Sequence, residues 1–211
     1  MRISSSMFVL VFLLAAACDN PTRNKPKAEV SSAAPAGATP APAGQAEKLN
    51  VSTNGSTIGF VASKVTRSHN GSFGRFSGRA ELVGGKAEGG KVSIDIELDS
   101  VQADVEKLTG HLKSPDFFDV QKYPKAHFES TSITPGGSAG ATHTITGLLD
   151  LHGVKKTIKF PATINVSPKE VRVKSEFALN RKEFGIAYPG APDDLIRDDV
   201  LMKLDLALPR S

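Results

Sequence analysis

The chain has 211 residues with 19 Gly, 13 Pro, one Cys and no Trp, and 39% of its residues are hydrophobic against 23% charged. That composition fits one folded domain with additions, excludes a multi-span membrane protein, and rules out an intrachain disulfide or a cysteine-rich zinc or redox site. Lys and Arg number 26 against 22 Asp and Glu, a formal net charge of +4, and no run of like charge marks a nucleic-acid footprint.

The first element is an apolar run from Met7 to Ala17, preceded by a single cation, Arg2. It is too short for a bilayer span, which takes about 17–25 apolar residues, and suits the core of a secretory signal peptide over residues 1–17. Ala15, Ala16 and Ala17 stand directly before the lone Cys18 and resemble a bacterial lipobox, in which the thiol is lipidated and the chain is cut before it. Residues 18–48 are rich in Ala and Pro and hold no aromatic residue. Such a segment cannot bury enough apolar surface to offset its ordering entropy, so it is expected to be a disordered tether between a lipid anchor and a domain over residues 49–211. Asp19 resembles an inner-membrane sorting signal, and the anchor is expected in the inner or the outer membrane facing the periplasm.

From Leu49 the dominant period is two. Ile58, Phe60 and Ala62 alternate with smaller or polar residues, as do Val92, Ile94, Ile96 and Leu98. The alternation returns over Ile158–Val166, Val171–Leu179 and Val200–Leu208, with Gly-rich or Pro-containing turns between, which predicts about eight antiparallel strands. One stretch breaks the period: Val101, Val105, Leu108 and Leu112 fall at helical spacing, so a short helix is expected there. Antiparallel strands with one apolar face suit a sandwich or a closed barrel, and closure removes the exposed edges. The fold class is therefore all-β, read as an antiparallel barrel with one short helix, either filled by its own side chains or holding one small ligand.

Residues 111–131, HLKSPDFFDVQKYPKAHFEST, resemble the signature of the YceI-like family. Ser68–Gly71, Gly74–Gly78, the segment GLLDLHGVKKTIKF at 147–160, Asn180–Ile186 and Ile196–Val200 resemble further parts of it in the family's order. The resemblance implies an extended lipocalin-like barrel in the periplasm that encloses a long apolar molecule, a polyisoprenoid or a similar amphiphile. It implies no catalytic residues and no cofactor. The insert YPGAPDDL at 188–195, together with the lipobox, points to a lipoprotein branch.

If a lipid is held, its wall is expected from the apolar strand faces: Ile58, Phe60, Phe76, Val92, Ile94, Ile96, Phe128, Phe160, Phe177 and Met202. Phe117 and Phe118 are expected to plug or rim one end, and Lys64, Arg181 and Tyr188 are candidates for a polar head group. The five histidines, His69, His111, His127, His143 and His152, fall in separate elements without metal-ligand spacing, so no metal site is expected. No G-x-S-x-G elbow suggests a hydrolase, which leaves an unrecognised triad as a remote third reading. The leading expectation is a non-enzymatic, membrane-anchored lipid-binding protein. The alternative is an interaction or stress-response lipoprotein with a filled barrel. Ligand identity and oligomeric state are not legible.

Overall fold

The computed structural model describes residues 20–33 and 46–210. The expected signal peptide and Cys18 lie outside the described residues. Fourteen strands and one α-helix are described: β1 (Glu29–Ser32), β2 (Ala46–Ser52), β3 (Thr57–Ser63), β4 (Ser68–Phe73), β5 (Phe76–Val83), β6 (Lys86–Glu97) and β7 (Val101–Ala103) come first. Then follow α1 (Glu106–Leu112), β8 (Lys125–Pro135), β9 (His143–Leu151), β10 (Val154–Val166), β11 (Glu170–Asn180), β12 (Gly190–Ala191), β13 (Asp194–Leu195) and β14 (Asp199–Pro209). The helix starts after Val105 rather than at Val101, because Val101–Ala103 pairs with β4.

All ladders are antiparallel, in the order β2-β5-β6-β8-β9-β10-β11-β14-β3-β4-β7. The sheet curls back on itself because β2 and β3 are consecutive in sequence: β2 pairs with β5 while β3 pairs with β14. Arg210 spans the closure with two hydrogen bonds to the Glu47 carboxylate, at 2.8 and 2.7 Å. The period-two faces point inward as their alternation requires. Ile58, Ile94, Phe160, Ile164, Phe177 and Leu208 all lie in one buried core. The strand count exceeds eight because short strands at the ends, and the bend between β2 and β3, divide what the alternation reads as longer units.

The expected tether is corrected in part. Residues 20–33 lie on the barrel, and β1 pairs with β10 over Glu29↔Lys159 to Ser32↔Lys156. The cause lies in β10. Pro161 has no N–H to give, and its carbonyl is taken by the buried Ser175 hydroxyl at 2.5 Å. The β10–β11 ladder therefore runs only from Thr163↔Lys174 to Val166↔Val171. Toward the other end of the two strands, residues 26–32 occupy the seam: Ala28 N–H donates to Ala178 and Ala178 N–H donates to Pro26, both at 2.8 Å. Composition missed this because the inserted strand needs only two apolar side chains, the buried Ala28 and the half-buried Val30, to complete the wall.

Several ion pairs on this surface set its acid response. The Arg172 hydrogen bond holds the Asp205 carboxyl below its usual value, and the Arg210 hydrogen bond does the same for Glu47. For Asp104 burial pushes upward, but the Asn70 amide and His69 pull the carboxyl lower overall. Each group binds fewer protons folded than unfolded, so its contribution is complete above the unfolded value and drains away as pH falls through the lowered one. Thermal melting is expected to hold steady down to about pH 5 and to fall below about pH 4. A melting temperature that climbs on acidification between those values would contradict this.

Candidate ligand site inside the barrel

The interior holds two apolar cavities arranged along the barrel. One, of about 130 Å³, lies at the α1 end and is lined by Phe60, Phe73, Ile96, Leu98, Leu112, Phe117, Phe118, Leu149, Leu151, Leu179, Ile186, Ile196, Val200 and Met202, with Arg181 its one charged residue. The other, of about 70 Å³, lies toward the far end, among Val51, Leu82, Val92, Ile94, Phe128, Ile133, Ile145, Phe160, Val173 and Leu206, with Glu81 and Lys91 at its edge.

The α1 end is lidded by two segments. The turns after α1 bring in Phe117 and Phe118, and the hairpin β12–β13 folds across from the other side. Tyr188 leads into that hairpin and packs on Phe117 at 5.4 Å and on His111 at 5.1 Å, centroid to centroid. His111 in turn meets the Asp116 carboxylate at 2.8 Å. The hairpin is tied to the β3–β4 turn: Lys64 pairs with Asp194 at 3.2 Å, the Thr66 hydroxyl donates to the same carboxylate at 3.0 Å, and Val65 N–H donates to Leu195 at 3.2 Å.

Arg181 sits where β11 ends. The Asn180 side chain accepts from Lys182 N–H at 2.9 Å and caps a single 3₁₀ turn, which closes at Gly185 with φ of 73°. That turn buries Phe184 completely and folds the Arg181 side chain inward, where it is only 6% exposed. Its guanidinium donates to the carbonyls of Ile186 at 2.7 Å, Arg197 at 3.1 Å and Ile196 at 3.3 Å, and lies 3.7 Å from Asp198. Burial draws its pKa below the usual arginine value, and Asp198 opposes that. A guanidinium has five N–H donors, and three are committed here.

The structure brings most of the sequence candidates together. Phe60, Ile96, Phe117, Phe118 and Met202 line the cavity at the α1 end, and Val92, Ile94, Phe128 and Phe160 line the other. Ile58, Phe76 and Phe177 are buried in the core without lining either cavity. Of the head-group candidates only Arg181 lines a cavity, and it does so with its stem, no polar atom being exposed in that wall. Lys64 is spent on the hairpin, and Tyr188 packs on the lid. Sequence reasoning did not single out Leu149, Leu151, Ile186 or Ile196. Leu149 and Leu151 alternate in phase with Ile145 along β9, a signal that was present, whereas Ile186 and Ile196 follow turns and show no period.

The remaining polar side chains are dispersed. His69 meets Asp104 and His127 meets Asp95, each at 2.8 Å, and His143 lies 3.5 Å from Glu88. His152 Nδ1 lies 3.2 Å from the Phe184 carbonyl oxygen. Among the described residues no three His, Cys, Asp or Glu side chains gather as metal ligands.

A curled antiparallel barrel with an apolar interior, lidded at one end by aromatic side chains, defines a lipocalin-like β-barrel protein. The chain belongs to the YceI-like domain family, which matches residues 49–208. It is 35% identical over 136 residues to a UPF0312 protein of Pseudomonas putida, covering 62% of this chain and 70% of that one. In structure it resembles Burkholderia cenocepacia BcnA, with a TM-score of 0.64 at 22% identity, covering 72% of this chain and 95% of that one. It also resembles a polyisoprenoid binding domain from Saccharophagus degradans implicated in plant cell wall breakdown, with a TM-score of 0.61 at 16% identity, covering 78% and 100%.

Proposed function

We propose that this protein binds the apolar chain of an isoprenoid or similar amphiphile inside its barrel and performs no covalent chemistry. The observation that carries the reading is the interior itself: two cavities walled by aliphatic and aromatic side chains, with one arginine at the lidded end. Each CH₂ moved from water into such a wall contributes about 0.8 kcal/mol, so affinity follows chain burial and head-group preference follows Arg181. The binding named for the Saccharophagus degradans domain supports the same ligand class.

The protein is further proposed to sit in the periplasm, held to a membrane by a lipid on Cys18 after removal of residues 1–17. Asn20 and Thr22 share a surface cleft with Asn180, Arg197 and Asp198, the sequence neighbours of the cavity residues Arg181 and Ile196. A lipid two residues upstream of Asn20 would hold the lidded end of the barrel beside the bilayer. Ligand would then pass between membrane and barrel over a short path.

Native mass spectrometry on the mature chain, taken from the membranes of its own host and followed by organic extraction, tests both parts. The expected spectrum shows a covalent lipid on Cys18 and a stoichiometric noncovalent long-chain species. A chain that carries no lipid at Cys18 overturns the anchor. A chain without extractable ligand, and without uptake of quinones or prenyl phosphates, overturns the binding reading and favours an interaction protein with a filled barrel.

A further inference from the structure

The two cavities share no lining residue, and what separates them is a layer of phenylalanine rings. Phe160 stands at its centre, stacked on Phe177 with centroids 4.4 Å apart and planes 18° apart, and tilted against Phe128 at 5.8 Å. The neighbours along each strand fall on opposite sides of this layer. On β6, Ile94 belongs to one cavity and Ile96 to the other; on β9, Ile145 and Leu149 do the same, with Gly147 between them.

Gly147 explains how the layer fits across the barrel. The tip of the Phe128 ring lies over the Gly147 backbone, in space that any larger residue would claim. Without the glycine the ring would be forced out of the layer. Phe160 is fixed differently: its backbone is pinned at the next residue by the Ser175 hydroxyl on the Pro161 carbonyl, so the strand cannot shift to clear a passage. Only rotation of the ring can.

Volume makes the layer consequential. An apolar cavity of about 150 Å³ is filled by one benzene, whereas sites for larger ligands run to about 300–1,000 Å³. The cavity at the lidded end, about 130 Å³, therefore takes a short chain or the end of a long one. A long chain needs both cavities joined.

We propose that the Phe128–Phe160–Phe177 layer sets the length of apolar chain this barrel accepts, with Phe160 as the movable stop between two compartments. The inference rests on the lipid-binding reading and adds its length selectivity. A short chain binds with the layer in place. A longer one binds only by turning Phe160 aside, and forfeits the stacking on Phe177 when it does.

The test measures dissociation constants for geraniol, farnesol, geranylgeraniol and solanesol with the full mature chain, for the unsubstituted protein, Phe160→Ala and the milder Phe160→Leu. Affinity of the unsubstituted protein is expected to stop rising after the shorter alcohols. Phe160→Ala is expected to improve the ratio of solanesol to geraniol affinity by about tenfold or more, the equivalent of about 1.4 kcal/mol, with Phe160→Leu between. If Phe160→Ala fails to fold, Phe160→Leu carries the comparison alone. A ratio that is the same in every folded variant overturns the length stop while leaving lipid binding intact. Failure of every alcohol to bind any variant overturns the lipid-binding reading and the stop with it.

Discussion

A chain lacking residues 20–33 is expected to lose about 2 kcal/mol or more of stability and to expose the edges of β10 and β11. The segment contributes the β1–β10 ladder and two hydrogen bonds with Ala178. Each such bond is worth about 0.5–1.5 kcal/mol net. Ala28 is buried, and Val30 packs against the same core. Across the outer face the row Ala178, Leu201 and Val61 is also buried, at 2, 3 and 6% exposure. The entropy released on removing the segment offsets part of the loss.

The flanking ion pairs do little to change that balance. Lys25 with Glu176, Lys27 with Asp199 and Lys159 with Glu29 are largely solvent-exposed, and such pairs contribute little. For a domain of this size the net loss corresponds to a fall in melting temperature of about 2–4 °C per kcal/mol. Alternate amides within residues 156–159, those that face β1 rather than β9, and the amide of Ala178 should exchange rapidly in the truncated chain, since their partners are gone. A synthetic peptide of residues 20–33 added in trans should restore both protection and melting temperature. Unchanged melting and unchanged protection would show that the segment is not part of the wall.

The same segment marks the boundary of what the sequence makes legible. Barrel strands with strict alternation, such as β6, β10, β11 and β14, announce their inward faces because half-burial forces a period of two. The candidate wall residues drawn from those strands are therefore buried together. The inserted strand is different. Its burial depends on a gap that Pro161 opens more than a hundred residues later in the chain, and composition over a window of its own sees polar residues, two prolines and a single valine. The lid is intermediate: Phe117 and Phe118 stand out as paired aromatics, but Tyr188 meets them only through the hairpin fold. Lys64 shows the opposite failure. A lone cation after an apolar strand reads as a head-group ligand, yet Asp194, far along the chain, takes it. The division of the interior by a ring layer is likewise invisible in sequence, since it depends on which phenylalanines share one height in the barrel.

Arg181→Met is expected to destabilise the barrel by about 2–4 kcal/mol and to abolish any preference for an anionic head group over a neutral one. Methionine matches the arginine stem in bulk and removes the cost of burying a charge, which by itself would favour the variant. Against this, three carbonyls, of Ile186, Ile196 and Arg197, lose their donors. A buried polar group left unpaired costs about 1–3 kcal/mol, and with three of them the loss outweighs the relief. Asp198 keeps its closer pairing with Lys182 at 3.0 Å and is half-exposed, so it adds little. Arg181→Lys should recover only part of the stability, because an ammonium cannot match a planar fork that serves three carbonyls at once.

The binding half of this prediction follows from the buried charge. Arg181 lines the cavity with its stem while its guanidinium faces three carbonyls and Asp198, so it acts on a head group through the positive charge held just behind the wall at the lidded end. The unsubstituted protein should therefore bind farnesyl phosphate more tightly than farnesol, and the ratio should fall to about one in Arg181→Met. Chemical denaturation and paired titrations separate the two effects. A stability unchanged by the substitution would remove the guanidinium as the clasp of the β11 turn. An undiminished preference for the phosphate in a folded Arg181→Met would place the head group elsewhere.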